Sequence, residues 1–157
     1  SPKYPIQPLL EHRDRAVDDR TAELGGAVRA REVAERRSLD AAASQRAAEA
    51  SAAATRAKEQ EMLGAGVLRA GDLARGQAWE VGAQAQIADL ARATANAEAK
   101  ADDARRGETD ARQELAHAMA DRDVVMKDEA RFQQKVAKKR EAAEEEQAEE
   151  AYRGDKK

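Results

Sequence analysis

The chain contains no cysteine, only three prolines and 3% aromatic residues among its 157 residues. Without cysteine, neither a disulfide framework nor a thiolate metal site can form. Large apolar residues are sparse and much of the hydrophobic fraction is alanine, which excludes a thick globular core. No apolar run approaches the roughly 20 residues that cross a bilayer. The N-terminal residues also lack the hydrophobic segment of a signal peptide, so we expect no secretion.

Charged residues make up 38% of the chain, with 28 basic and 31 acidic side chains well mixed along it. An interleaved, nearly neutral pattern is typical of a solvated helix surface and argues against nucleic-acid binding. Disorder is the alternative for so polar a sequence. The abundance of alanine, glutamate, arginine, glutamine and lysine favours long helices or coiled coils instead. The prolines are confined to Pro2, Pro5 and Pro8, outside these helix-forming segments.

Four of the nine glycines fall within residues 64–76, between two alanine-rich charged segments. Glycine costs a helix about 1 kcal/mol relative to alanine and accepts positive φ, so this cluster predicts a turn. We therefore predict an all-α fold: one domain of residues 1–157, formed by a long antiparallel two-helix coiled-coil hairpin. Helix 1 should span about 8–63, the turn about 64–76 and helix 2 about 77–152, with Asp72 as a possible N-cap. The pair Gly25–Gly26 should bend helix 1 slightly without ending it.

Apolar residues recur every seven positions in both helices, as in coiled coils. In helix 1 we assign Leu10, Val17 and Leu24 to the buried face, with Leu39 on the same face eleven residues after Val28. In helix 2, one row is apolar throughout: Leu90, Ala97, Ala104, Ala111, Ala118, Val125 and Phe132. The row three positions earlier is half polar: Ile87, Thr94, Ala101, Glu108, Leu115, Arg122, Glu129 and Val136. We interpret its polar members as a surface that could accept another partner.

A turn centred near residue 69 brings alanine-rich 41–57 opposite alanine-rich 81–97, and brings the larger side chains near the termini together. Beyond residue 132, helix 2 has no remaining partner in helix 1. The predicted overhang from Gln133 onward is basic and then acidic, and a polar helix that projects alone is only marginally stable in water. We expect the overhang either to fray or to bind a partner.

No catalytic or metal-binding constellation is visible, so we expect no enzyme activity, no cofactor and no metal. His12 and His117 are single histidines on charged helices, and the turn places them too far apart to share a metal. The tripeptide Arg153-Gly154-Asp155 is best explained as coincidence. Trp79, Val81 and Ile87 lie near the turn, where they either close the end of the hairpin or form an exposed docking patch.

Residues Lys3–Leu24 combine an aromatic residue, the pair Leu9-Leu10 and Arg13 with a long charged helix. With the mid-chain motif Leu68–Leu73 and the charged C-terminus, this segment resembles the FliJ/YscO family, the coiled-coil stalk proteins of flagellar and injectisome type III secretion. The resemblance implies a non-catalytic central stalk at the cytoplasmic face of the inner membrane. It also implies that the stalk engages the hexameric export ATPase and promotes its assembly, its activity and protein export.

The resemblance assigns two partner-binding regions, neither of which involves nucleic acid or membrane insertion. The terminal end would enter the ATPase pore, and the tip would reach the export gate or export chaperones. The ATPase-facing candidates are Ile6, Leu9, Leu10, Phe132, Val136, Lys138, Lys139 and Arg140. The tip candidates are Trp79, Val81 and Ile87. A self-associating coiled-coil scaffold or spacer is the alternative function, and a membrane-surface protein is a weaker one because no broad apolar face is present.

Overall fold

The computed structural model describes residues 2–155, which form two long helices, α1 (Gln7–Gly64) and α2 (Ala70–Asp155). The two helices pack against each other, and no strand occurs in the described part of the chain. The predicted all-α helical hairpin is therefore confirmed. Helix α1 lies within one residue of its predicted bounds and continues through Gly25 and Gly26 without a break.

Helix α1 begins between Pro5 and Pro8, the last two prolines of the chain. The amides of Leu9 and Leu10 donate to the carbonyl of Ile6 at 3.0 and 3.2 Å. Pro8 lies in this first turn, where a missing N–H costs nothing because that group would have no helical partner. The proline-containing lead thus fixes where α1 starts.

Helix α1 ends in a Schellman motif around Gly66. The amide of Gly66 donates to the Leu63 carbonyl at 3.1 Å, and the amide of Val67 donates to the Met62 carbonyl at 3.3 Å. Gly66 has a φ of 71°, a left-handed conformation that glycine adopts without steric cost. Of the glycines that predicted the turn, Gly66 is therefore the one whose backbone freedom the turn requires.

Helix α2 begins at Ala70, earlier than the predicted start near residue 77, so the turn is shorter than predicted. The assignment of Asp72 as N-cap is also wrong, because the cap position is occupied by Arg69. The Asp72 side chain instead accepts the Arg69 amide at 3.0 Å, while the amide of Leu73 donates to the Arg69 carbonyl at 3.1 Å. This is the second half of a capping box, and it stabilises a glycine-containing first turn that propensity alone disfavours.

The buried faces of both helices follow a seven-residue repeat. Within the described residues, both rows of α2 are buried or half-buried at every position from Ile87 to Val136. In α1 the buried row continues in sevens after Leu24: Arg31, Ser38, Gln45, Ala52 and Glu59. Leu39 is 70% exposed, so its predicted place on the buried face is wrong. A spacing of eleven residues keeps one face only at about 3.67 residues per turn. The buried face of α1 instead follows a strict seven-residue repeat, so Leu39 faces solvent.

The chain divides into two compact units. The turn unit is Gly26–Thr109, and the terminal unit joins the described residues 2–25 to 110–155. In the terminal unit, Tyr4, Leu10 and Val125 form a buried cluster. Phe132 packs against this cluster, with its ring centroid 5.5 Å from that of Tyr4 at a tilted angle. This unit is therefore held together by large apolar and aromatic side chains.

In the turn unit the buried side chains are small or polar: Ala52, Thr94, Ala101 and Glu108. The hydroxyl of Thr94 donates to the Leu90 carbonyl of its own helix at 2.9 Å. Glu108 forms an ion pair with Arg31 across the two helices. These polar members of the second α2 row lie between the helices, so the interpretation of that row as an open partner surface is wrong for them.

Candidate partner-binding surfaces

Val136, one of the residues predicted to face the ATPase, is half-buried, but five others are exposed in the terminal unit, and we call these the terminal surface: Ile6, Leu9, Lys138, Lys139 and Arg140. Ile6 and Leu9 are 39% and 38% exposed. The three cations follow on the exposed part of α2. The terminal surface thus combines a few accessible apolar side chains with a short basic segment.

Leu10 and Phe132, the other two ATPase-facing candidates, contribute to packing inside the terminal unit. Leu10 is only 7% exposed and belongs to the buried cluster with Tyr4. Phe132 is half-buried against the same cluster. Neither side chain is fully available to a partner while this unit is folded.

Tyr4 is the residue of the terminal unit that sequence reasoning missed as a core residue. Its hydroxyl donates to Asp128 Oδ2 at 2.5 Å, joining the proline-containing lead to α2. Burial of the ring, together with this hydrogen bond and the charges of Asp128 and Glu129, raises the pKa of Tyr4 to about 12. A lone aromatic residue ahead of the helix carries no periodic signal, so only tertiary packing reveals that Tyr4 joins the cluster of Leu10 and Val125.

The C-terminal part of α2, which we call the overhang (residues 137–155), is helical, and every one of its described side chains is exposed. Val136 is the last half-buried residue of the helix. The predicted overhang is therefore present, although it starts four residues later than expected. Its glutamates all lie at positions 141–150: Glu141, Glu144, Glu145, Glu146, Glu149 and Glu150. A single polar helix that packs against nothing is only marginally stable in water, so binding to a partner would stabilise the overhang.

The three tip candidates differ in their exposure. Val81 is 71% exposed, whereas Ile87 is half-buried between the helices. Trp79 is 37% exposed and lines a shallow cavity of about 390 Å³ beside Ser51 and Ala52 of α1. The indole therefore lies partly on α1 and partly open to a partner, and Val81 is the most accessible of the three.

Sequence reasoning missed a second set of exposed apolar residues around the turn, which we call the turn surface: Met62, Leu63, Val67 and Leu73. Their exposed fractions run from 39% for Leu73 to 62% for Val67. All four lie in the last turn of α1, the connecting loop or the first turn of α2. The local signal was a group of apolar residues among the turn-forming glycines, and we interpreted it only as part of the turn.

Ion pairs between the helices occur along both units. In the terminal unit Arg13 pairs with Asp121 at 2.9 Å, and Arg20 pairs with Glu114. In the turn unit Arg56 binds Glu80 at 2.6 Å, and its hydrogen bonds lower the pKa of the Glu80 carboxyl. These pairs are partly solvated, so each adds little stability, but together they favour the observed antiparallel register.

Both histidines are exposed, in the terminal unit. Among residues 2–155, no group of three or more histidine, aspartate or glutamate side chains is arranged to hold a metal ion. His117 shares a shallow surface cavity with Arg13, Arg20 and Glu114. The nearby carboxylates are engaged by arginines rather than poised for proton transfer.

None of the described helices combines the length and the apolar character needed to span a membrane. No protein-family model, curated protein or solved structure matches this chain.

Proposed function

We propose that this chain is a non-catalytic interaction protein that acts as the central stalk of a type III secretion export apparatus. In this function the terminal surface and the overhang engage the hexameric export ATPase at the cytoplasmic face of the inner membrane. The tip residues and the turn surface engage the export gate or export chaperones. The role of the chain is to promote assembly and activity of the ATPase and thereby protein export.

The observation that carries the proposal is the overhang. Helix α2 continues through residues 137–155 with every described side chain exposed. A single polar helix is marginally stable in water, and most helix stability in proteins comes from packing against a partner. A ring-shaped ATPase pore offers such a helix a surrounding surface. The basic residues Lys138, Lys139 and Arg140 at its start provide charge that can be complemented there.

The turn surface and the tip residue Val81 support a second contact. Val67, at 62% exposed, and Val81, at 71%, are large apolar side chains that water solvates poorly. Exposed apolar side chains grouped in one region are typical of protein-binding sites, whereas scattered ones need no explanation. Two separate surfaces, one in each unit, suit a protein that connects two partners.

The test is the ATP turnover of a purified hexameric type III export ATPase, measured with and without this chain. We expect the full chain to raise turnover and to co-purify with the hexamer. Reversing the basic segment with Lys138→Glu, Lys139→Glu and Arg140→Glu should weaken the complex about tenfold or more, as for charged contacts that are desolvated on binding.

The matched control reverses three exposed cations of the turn unit, with Arg36→Glu, Arg46→Glu and Lys58→Glu. The control changes the net charge equally and should leave ATPase stimulation intact. The Val81→Asp variant should also stimulate the ATPase normally while losing the contact made by the tip. If the full chain neither changes turnover nor binds the hexamer, the stalk function is wrong.

A further inference from the structure

An apolar groove runs between the helices of the turn unit. Besides the cations at its border, it is lined by four alanines, a valine and one asparagine: Ala30, Val33, Ala34, Ala93, Asn96 and Ala97. The groove has a volume of about 640 Å³, and Val33 is 47% exposed. Alanine on both helices leaves little side-chain bulk, so the backbone of a third helix can approach closely.

Three cations border the groove: Arg29, Arg37 and Lys100. All three are exposed, and within residues 2–155 none of them forms an ion pair. Other arginines of the same unit, such as Arg56 and Arg105, do bind carboxylates of the neighbouring helix. An apolar groove with unpaired positive charge at its edges is complementary to a helix face that combines small side chains with carboxylates.

One face of the overhang has this composition. Residues at helical spacing place Ala137, Glu141, Glu144, Ala148 and Ala151 together on one side of α2. All five are exposed. We call this side the acidic face. It carries three alanines, which match the alanines of the groove, and two carboxylates, Glu141 and Glu144, which can pair with the cations beside the groove.

We propose that the groove of the turn unit binds the acidic face of the overhang from a second copy of this chain. The groove residues Ala93, Ala97 and Lys100 belong to the same continuous helix α2 as the overhang, so the overhang that binds beside them is that of another copy. Burying Val33 and the alanines removes apolar surface from water, and the carboxylates supply partners for Arg29, Arg37 and Lys100. The contact does not depend on the proposed binding to an ATPase.

The contact is heterologous, because the groove of one copy meets the overhang of another. It therefore leaves one free groove and one free overhang in each dimer, and association should continue to larger assemblies as concentration rises. Ionic strength should also weaken it. Raising salt from about 0.1 M to about 1 M shortens the screening length from about 10 Å to about 3 Å.

The experiment measures the mass of the full chain by sedimentation equilibrium over a wide range of concentration, at low and at high salt. We expect concentration-dependent association at low salt that high salt weakens. The variants Arg29→Glu with Arg37→Glu, and separately Glu141→Lys with Glu144→Lys, should each weaken association about tenfold or more.

Each variant has a matched control on the same helix. Arg36→Glu with Arg46→Glu changes the charge of α1 equally outside the groove. Glu146→Lys with Glu150→Lys changes the overhang equally on the side away from the acidic face. Both controls should associate about as well as the unchanged chain.

A mixture of the two reversed variants is the most specific test. Each variant alone should associate about tenfold more weakly than the unchanged chain, but the mixture should regain association, because each groove then meets an overhang of opposite charge. A full chain that stays monomeric at every concentration overturns the proposal. So does association that the groove and overhang variants leave unchanged, or a mixture that associates no more strongly than the separate variants do.

Discussion

The terminal unit and the turn unit share one heptad pattern but fill it with different side chains. In the terminal unit the buried residues are large: Tyr4, Leu10, Val17 and Val125. In the turn unit, by contrast, they are small or polar, as Ala101 and Glu108 illustrate. Because the spacing of buried positions is the same in both units, the heptad sets which residues face the partner helix, while side-chain size sets how that space is filled.

Large and small buried side chains contribute different amounts to the free energy of unfolding. Large apolar side chains gain most from leaving water, about 1.5–3 kcal/mol for each fully buried residue. Alanine gains little, but it permits close approach and leaves room at the surface, as in the groove beside Val33. The ion pair between Arg31 and Glu108 adds specificity of register more than stability. We therefore expect the stability of the terminal unit to fall when one large buried residue is removed. The stability of the turn unit should fall when a large residue is introduced at a buried position.

The largest effect should come from Leu10→Ala in the terminal unit. Leu10 is 7% exposed within the Tyr4 cluster, and a buried leucine truncated to alanine costs about 2–5 kcal/mol of unfolding free energy. Urea denaturation, followed by circular dichroism and by amide exchange of residues 7–17, measures this loss. The control is Leu39→Ala, which removes the same atoms at a 70% exposed position and should change stability by less than about 0.5 kcal/mol. Equal effects of the two substitutions would contradict the assigned heptad.

The opposite substitution, Ala101→Leu, should destabilise the turn unit by about 1–3 kcal/mol. Ala101 is 1% exposed, so added side-chain volume must push the two helices apart. The control Ala99→Leu places the same side chain at an exposed position of α2. Thermal melting of the two variants measures the difference. If Ala101→Leu were stabilising, the turn unit would contain unfilled space and the contrast between the units would fail.

A smaller effect should appear in the pH dependence of the terminal unit through Tyr4. Because the pKa of Tyr4 rises from about 10 to about 12 on folding, the folded chain holds this proton more tightly than the unfolded chain. The resulting stabilisation is fully present below about pH 10 and is lost as pH rises through about 12. The melting temperature of the unchanged chain should therefore fall toward that of Tyr4→Phe over this range.

The double variant Tyr4→Phe with Asp128→Asn tests whether the change in melting temperature comes from the hydrogen bond between Tyr4 and Asp128 or from other groups that titrate at alkaline pH. If the hydrogen bond to Asp128 carries the effect, Asp128→Asn should add little once Tyr4→Phe is present. A constant difference in melting temperature between the unchanged chain and Tyr4→Phe from pH 8 to pH 12 would contradict the assignment.

Local patterns in the sequence were sufficient to predict the hairpin, but not the details of its ends and its buried face. The glycine cluster predicted the turn, yet α2 begins at Ala70 because the Asp72 carboxylate caps it from within the helix. Leu39 is exposed because the heptad continues through polar Ser38 rather than through the next large apolar residue. The turn surface was missed because its apolar residues lie where the chain reverses and follow no helical period.

The sequence by itself determined the fold class, the position of the chain reversal and the presence of an overhang. These features depend on helix propensity, glycine and periodicity, which act over a few neighbouring residues. Only the tertiary structure decided that Tyr4 joins the core, that Glu108 is buried beside Arg31, and that an alanine groove with unpaired cations faces outward. Each of these depends on which residue of the other helix lies opposite, and that is fixed only when the two helices pack.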